Sequence, residues 1–233
     1  MIKRIYSGED FSALPEKGVE AQKIRALLMS YGTGYDFCRF FRQGSSILAV
    51  LDGSAVLCAG EDCDYRELAE FLSMNGFTEL FCGEQDAQPL AEAGGFSAHR
   101  INLMKYCGKP VPAAPELNPP LSEVWGIVGR CFEIEYEPWY LDMSHRIRHG
   151  VTQCAVMDGS ALCIQHNING EALLSQIATP PELRGEGRAS RLVSAVCGSL
   201  SDSVIFLLCG DCLVPFYEKN GFSCAENKYV LTR

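Results

Sequence analysis

The chain has 233 residues, 47% of them apolar and 21% charged, a balance that fits a globular protein and argues against disorder. Its net charge of −9 divides into −5 over residues 1–108 and −4 over residues 109–233, so neither half offers the positive face that a nucleic-acid partner requires. The longest apolar run, Val204–Cys209, falls far short of the roughly 18 residues that span a bilayer, and Gly8-Glu-Asp10 closes off any signal-peptide core, so a cytoplasmic protein without a membrane partner is expected.

In chain order, the first strong signal is Ala49-Val-Leu-Asp-Gly-Ser-Ala55, where Asp-Gly between apolar runs predicts a two-residue hairpin. Leu80-Phe-Cys82 reads as a strand end and Pro89–Phe96 as a helical segment. Lys109–Pro120 is proline-rich; its fixed φ angles and missing donors predict a linker between residues 1–108 and residues 121–233. Beyond it, helices are expected over Ser122–Cys131 and Trp139–His149, followed by hairpin strands Thr152–Met157 and Ser160–Asn167. A third strand, Glu171–Thr179, leads to a helix over Gly187–Ser201 that sets Ala189, Leu192, Val193, Val196 and Leu200 on one face. A buried strand Val204–Cys209, a helix Leu213–Asn220 stopped by Gly221 and a strand Asn227–Leu231 complete the chain.

The two halves repeat. Ala49–Ala55 returns as Ala155-Val-Met-Asp-Gly-Ser-Ala161, an offset of 106, whereas Pro89–Phe96 returns as Pro215–Phe222, an offset of 126. The second copy is therefore expected to carry about 20 additional residues, between Gln165 and Glu186, that the first lacks. That stretch runs from an apolar strand through Pro180-Pro181 and Gly185-Glu-Gly187 into a helix N-terminus. Free helix N–H groups beside two glycines let a phosphate approach the main chain closely. A dinucleotide fingerprint is excluded because its third glycine position is Ser190, and no Walker string occurs.

Twelve cysteines, several inside apolar segments, read as reduced, buried thiols. His145, His149 and His166 have no metal-ligand spacing, so no metal is expected. Cys209-Gly-Asp-Cys212 has redox spacing, but too little chain follows it to complete a thioredoxin-type domain.

Arg184-Gly-Glu-Gly-Arg-Ala189, preceded by Thr179-Pro-Pro-Glu-Leu183 and followed by Phe216-Tyr-Glu-Lys-Asn-Gly-Phe222, resembles the paired signatures of the GNAT acyltransferase superfamily. The resemblance covers residues 121–233 and extends through the repeat to residues 37–106. It implies an α/β (α+β) fold of two GNAT-like lobes, each a mixed twisted sheet flanked by helices. The lobe over residues 121–233 would bind acyl-CoA, and the lobe over residues 1–108 would lack the CoA-loop segment. It implies acetyl-CoA as co-substrate and a small-molecule or peptide amine as acceptor. Ile177, Ala178 and Thr179 would hold the pantetheine arm, and main-chain groups of Arg184, Gly185, Glu186, Gly187, Arg188, Ala189 and Ser190 the pyrophosphate. Tyr217 would protonate the departing thiolate, and Glu171 would be the base. Gly210 departs from the pattern, standing where family members often carry Asn, and Glu133, Glu135 and Glu137 lie in the segment that would border the acceptor pocket. Three alternatives follow from the same residues: an N-acetyltransferase, a non-catalytic acyl-CoA sensor, and a thiol-redox protein using Cys209 and Cys212. The first lobe would cap the second, shape the acceptor pocket or mediate a homodimer.

Overall fold

The structure is a computed structural model that describes residues 1–7, 11–109 and 114–233. Four residues of the expected linker, Pro110–Ala113, lie outside the described residues, as does Gly8–Asp10. The fold is α+β, and the chain divides into two compact units. The first comprises Met1–Asn102 with Glu226–Arg233, and the second Leu103–Ala225.

In the first unit, strand β1 (Lys3–Arg4) and helix α1 (Val19–Tyr31) precede three antiparallel strands, β2 (Cys38–Gln43), β3 (Ser46–Leu51) and β4 (Ser54–Cys58). Helix α2 (Tyr65–Asn75) then returns the chain to β5 (Glu79–Gly83), which pairs parallel with β4, and helix α3 (Glu84–Gly94) leads to β6 (Ser97–Tyr106). The final strand of the chain, β12 (Phe222–Thr232), closes this unit by pairing Lys228–Leu231 antiparallel with Gly83–Leu80. Leu57, Leu68, Leu80, Leu90 and Leu231 form its core.

The second unit repeats the sequence of elements. After β7 (Glu116–Leu117), α4 (Leu121–Val128) and α5 (Tyr136–Arg148) come three antiparallel strands: β8 (Gln153–Met157), β9 (Ser160–Ile168) and β10 (Glu171–Ala178). Helix α6 (Arg188–Ser199) crosses back to β11 (Val204–Cys209), parallel to β10, and a short 3-10 turn leads into α7 (Val214–Lys219). One core lies under α6 around Leu162, Leu174, Leu192 and Val196 and includes Met104 of β6. A second lies under α4 and α5 around Val124, Trp139 and Cys163.

This order corrects the expected repeat. Asp52-Gly53 closes the β3–β4 hairpin, the second and third strands of the first unit, whereas Asp158-Gly159 closes β8–β9, the first and second strands of the other. The matching strings therefore occupy different hairpins. An Asp-Gly turn is local chemistry and carries no information about which strand pair it joins. The third strand that seemed to be extra in the second unit has its counterpart in β4. What differs is the connection to the following helix, residues 59–64 in one unit and residues 179–187 in the other.

Candidate active site

The parallel β10–β11 ladder pairs Glu171–Leu174 with Val204–Leu207 and stops there. Past that point β10 also departs from β9. Ser175 faces Cys163 and Ala178 faces Ala161, so Gln176 and Ile177 both stand opposite Leu162. This is a β-bulge, with Gln176 at φ 49, a left-handed conformation uncommon for a side-chain-bearing residue. Main-chain groups that a regular strand would commit to its neighbours are thereby released at the mouth of a cleft of about 650 Å³.

Ile177, Ala178 and Thr179 form one wall of that cleft. Its far end is the segment Arg184–Ser190, in which Gly185 and Gly187 have φ 84 and 72, values that favour glycine. Gly187 caps α6 without a side-chain acceptor, and the first helical bond runs from Arg191 N–H to Gly187 C=O at 3.0 Å. The N–H groups of Arg188, Ala189 and Ser190 consequently have no intrahelical acceptor. The loop is braced from behind. Arg191 Nε donates to Asp158 at 2.9 Å and its Nη1 to the Glu186 carbonyl, while Arg188 donates to the Asp158 carbonyl at 2.7 Å and pairs with the Glu186 carboxylate. Glu186 does not line the cleft; it holds Arg188. Arg184 Nε donates to the Thr179 carbonyl at 2.9 Å, tying the loop to the end of β10.

Tyr217, on α7, lines the same cleft and is 7% exposed. Burial, with Cys209 nearby, pushes its hydroxyl up to about 12, so the phenol keeps its proton throughout the physiological range. Glu171 lies apart from these groups. It is buried at the opposite end of β10, paired across the sheet with Ile168 and Val204, and it does not line the cleft. Glu133, Glu135 and Glu137 are exposed, directly after Cys131 and Phe132, which do line it. Cys209 is pushed up to about 11, first by burial and then by Cys224, Cys212 and Asp211, the opposite of the depressed value a redox-active thiolate needs. Among the described residues, no His, Cys, Asp and Glu group is arranged to hold a metal ion.

Sequence reasoning did not find Gln176, Trp139 or Cys163. Trp139 Nε1 donates to Gln176 Oε1 at 3.0 Å, and the Cys163 thiol donates to the same oxygen at 3.3 Å. Their convergence depends on the bulge, for which the apolar run of β10 carries no signal.

No family model matches the chain, and no curated protein matches it. Solved structures do. A GCN5-related N-acetyltransferase from Sphaerobacter thermophilus is 16% identical with a TM-score of 0.64, covering 100% of this chain and 95% of that one. A GCN5-related N-acetyltransferase from Kribbella flavida is 14% identical with a TM-score of 0.62, covering 92% and 93%. A tandem GNAT protein from the clavulanic acid biosynthesis pathway is 12% identical with a TM-score of 0.56, covering 100% and 98%. At these identities the likeness is one of architecture, and the two successive units, each with three antiparallel strands, a helix and a parallel strand, give this chain the GNAT acetyltransferase fold.

Proposed function

We propose that the chain is an acetyl-CoA-dependent N-acetyltransferase acting on a primary amine, with its site in the second unit. The observation that carries this reading is the meeting of three features in one cleft: bulged main-chain groups, an uncapped helix N-terminus and a protonated tyrosine. The residues suit the co-substrate. Orphan N–H groups and the positive end of the α6 dipole favour pyrophosphate, and the glycine φ values let its oxygens approach the main chain.

The first unit is chemically unsuited to the same ligand. There Asp64 caps α2, its carboxylate accepting from the N–H groups of Arg66 and Glu67 at 3.1 Å, and Glu61 and Asp62 stand in the same connection. A phosphate at that terminus would displace a carboxylate and meet two more.

Acetyl-CoA supplies an acyl carbon activated as a thioester. Released main-chain donors of the bulge meet the negative charge that develops on its carbonyl oxygen. The neutral amine nitrogen forms a bond to the carbonyl carbon, the carbon–sulfur bond breaks, and the Tyr217 hydroxyl gives its proton to sulfur. The proton lost by the amine re-enters through solvent to restore the phenol. The exposed acids of residues 133–137 would draw a protonated amine to the cleft, since they follow directly on Cys131 and Phe132, which line it, whereas Glu171, which the family resemblance nominates as base, does not line it.

Calorimetry with acetyl-CoA, followed by thiol release in the presence of a panel of amines, tests the proposal. Binding with turnover is expected. Binding without turnover on any amine would make the chain a sensor, and the absence of binding would overturn the assignment of the site.

A further inference from the structure

The bulge that opens the cleft reverses the faces of β10. Ala172 and Leu174 face the core under α6, and regular alternation would send residue 178 to the same side. Ala178 instead packs in the core under α4 and α5, and Ile177 packs on the α6 side. The reversal places Gln176 on the α4–α5 side, where its carbonyl oxygen accepts two hydrogen bonds, from Trp139 Nε1 at 3.0 Å and from Cys163 Sγ at 3.3 Å.

Indole N–H is only a donor, so the orientation of the Gln176 carboxamide is set by chemistry: Oε1, not Nε2, must face Trp139. Two donors use both lone pairs of that oxygen. Trp139 is 7% and Cys163 1% exposed, so neither donor has water as an easy substitute. The Cys163 thiol is held far above its ordinary value, by the Cys154 thiol at 3.6 Å and by burial, and stays protonated and able to donate. Side chains of three elements, α5, β9 and β10, thus converge on one atom beside a backbone held at φ 49. A left-handed backbone is disfavoured at a residue that carries a side chain and persists only where its surroundings hold it.

We propose that the Trp139–Gln176–Cys163 clamp fixes the bulge of β10, making Gln176 the positioning residue for the main-chain groups that would receive the acyl carbonyl. This rests on the acyltransferase reading above. The clamp acts on geometry, so its loss falls on the chemical step, while the loop before α6 keeps its own bracing through Asp158 and Glu186.

The test uses Gln176→Met, which keeps the length of the side chain and removes the acceptor, and Trp139→Phe, which keeps a ring and removes the donor. Both are expected to lower kcat at least tenfold while the KM and Kd for acetyl-CoA change less than twofold. In a Trp125→Phe background, where Trp139 is the remaining tryptophan, Gln176→Met should also shift the emission maximum of the ligand-free protein. An unchanged kcat in Gln176→Met with retained fold overturns the positioning role, and an unshifted emission overturns the clamp. A wild-type chain that binds no acetyl-CoA, with the emission shift still present, overturns the acyltransferase reading and with it the positioning role, while leaving the clamp as a structural lock.

Discussion

Tyr217 is the residue on which the proposed chemistry can be tried most directly. Its ring packs against Phe216 and Phe222, with centroids 5.1 and 5.8 Å away, so replacing it by phenylalanine keeps the packing and removes the hydroxyl. A general acid typically contributes a factor of 10² to 10⁴. Tyr217→Phe is accordingly expected to lower kcat about a hundredfold and to leave acetyl-CoA affinity within twofold, measured by steady-state kinetics and calorimetry; unchanged turnover would make Tyr217 a packing residue. The sequence made this position legible because an F-Y-x-x-x-G-F string is contiguous. Gln176 was not legible. Its importance comes from a register shift, and in Leu174-Ser-Gln-Ile-Ala178 nothing marks which residue is the extra one. Glu171 illustrates the converse: the family resemblance nominated it, and the strand carries it to the end of β10 away from the cleft.

At the scale of elements, the loop before α6 should depend on its glycines through backbone conformation, not space. A Cβ at Gly187 would approach nothing closer than an Arg191 guanidinium nitrogen at 3.6 Å, and at Gly185 it would meet open space. Alanine at either site must still adopt φ 72 or 84. The cost is about 1 kcal/mol, which for a chain of this size lowers Tm by roughly 2–4 °C. Acetyl-CoA affinity should fall severalfold in Gly187→Ala as the cradle relaxes, read by calorimetry beside a melting curve.

Strand β12 carries a different dependence. Lys228, 7% exposed, meets Glu20 of α1 at 2.6 Å and Glu226 at 3.0 Å. Burial pulls the ammonium down, but the two carboxylates outweigh it and leave the group above its ordinary value. A lysine raised on folding contributes stability that is complete below its unfolded value near 10.4 and disappears as pH climbs through the folded value. Urea midpoints should therefore fall as pH rises above the unfolded value, and more steeply in the wild type than in Lys228→Met. That variant should itself be about 3 kcal/mol less stable at pH 7, because it leaves Glu20 buried without its cation. Equal slopes in the two proteins would remove Lys228 from the account.

For the whole molecule, the proline-rich stretch over residues 109–120 suggested a cut into two halves, and the chain's own pairing argues for a different division. Strand elements were readable because periodicity and turns are local: Val204–Cys209 was expected and found with those ends. The partner of a strand is not local, and nothing in Asn227–Leu231 names Gly83–Leu80 as its neighbour. Fragment 1–108 would lack Lys228–Leu231, and with it Leu231, which is 0% exposed in the first core. Fragment 121–233 would lack Met104, 0% exposed in the second. Truncating one such side chain costs about 2–5 kcal/mol, and losing a whole strand costs its ladder as well, against a total stability of about 5–15 kcal/mol. Each fragment expressed alone should therefore melt without a cooperative transition and show little amide protection, whereas the two expressed together should recover both. A chain joining residues 1–102 to residues 226–233 through a flexible glycine segment should unfold cooperatively, since it carries the complete first unit. Cooperative unfolding of fragment 1–108 by itself would show that β12 is dispensable there and would return the boundary to the prolines.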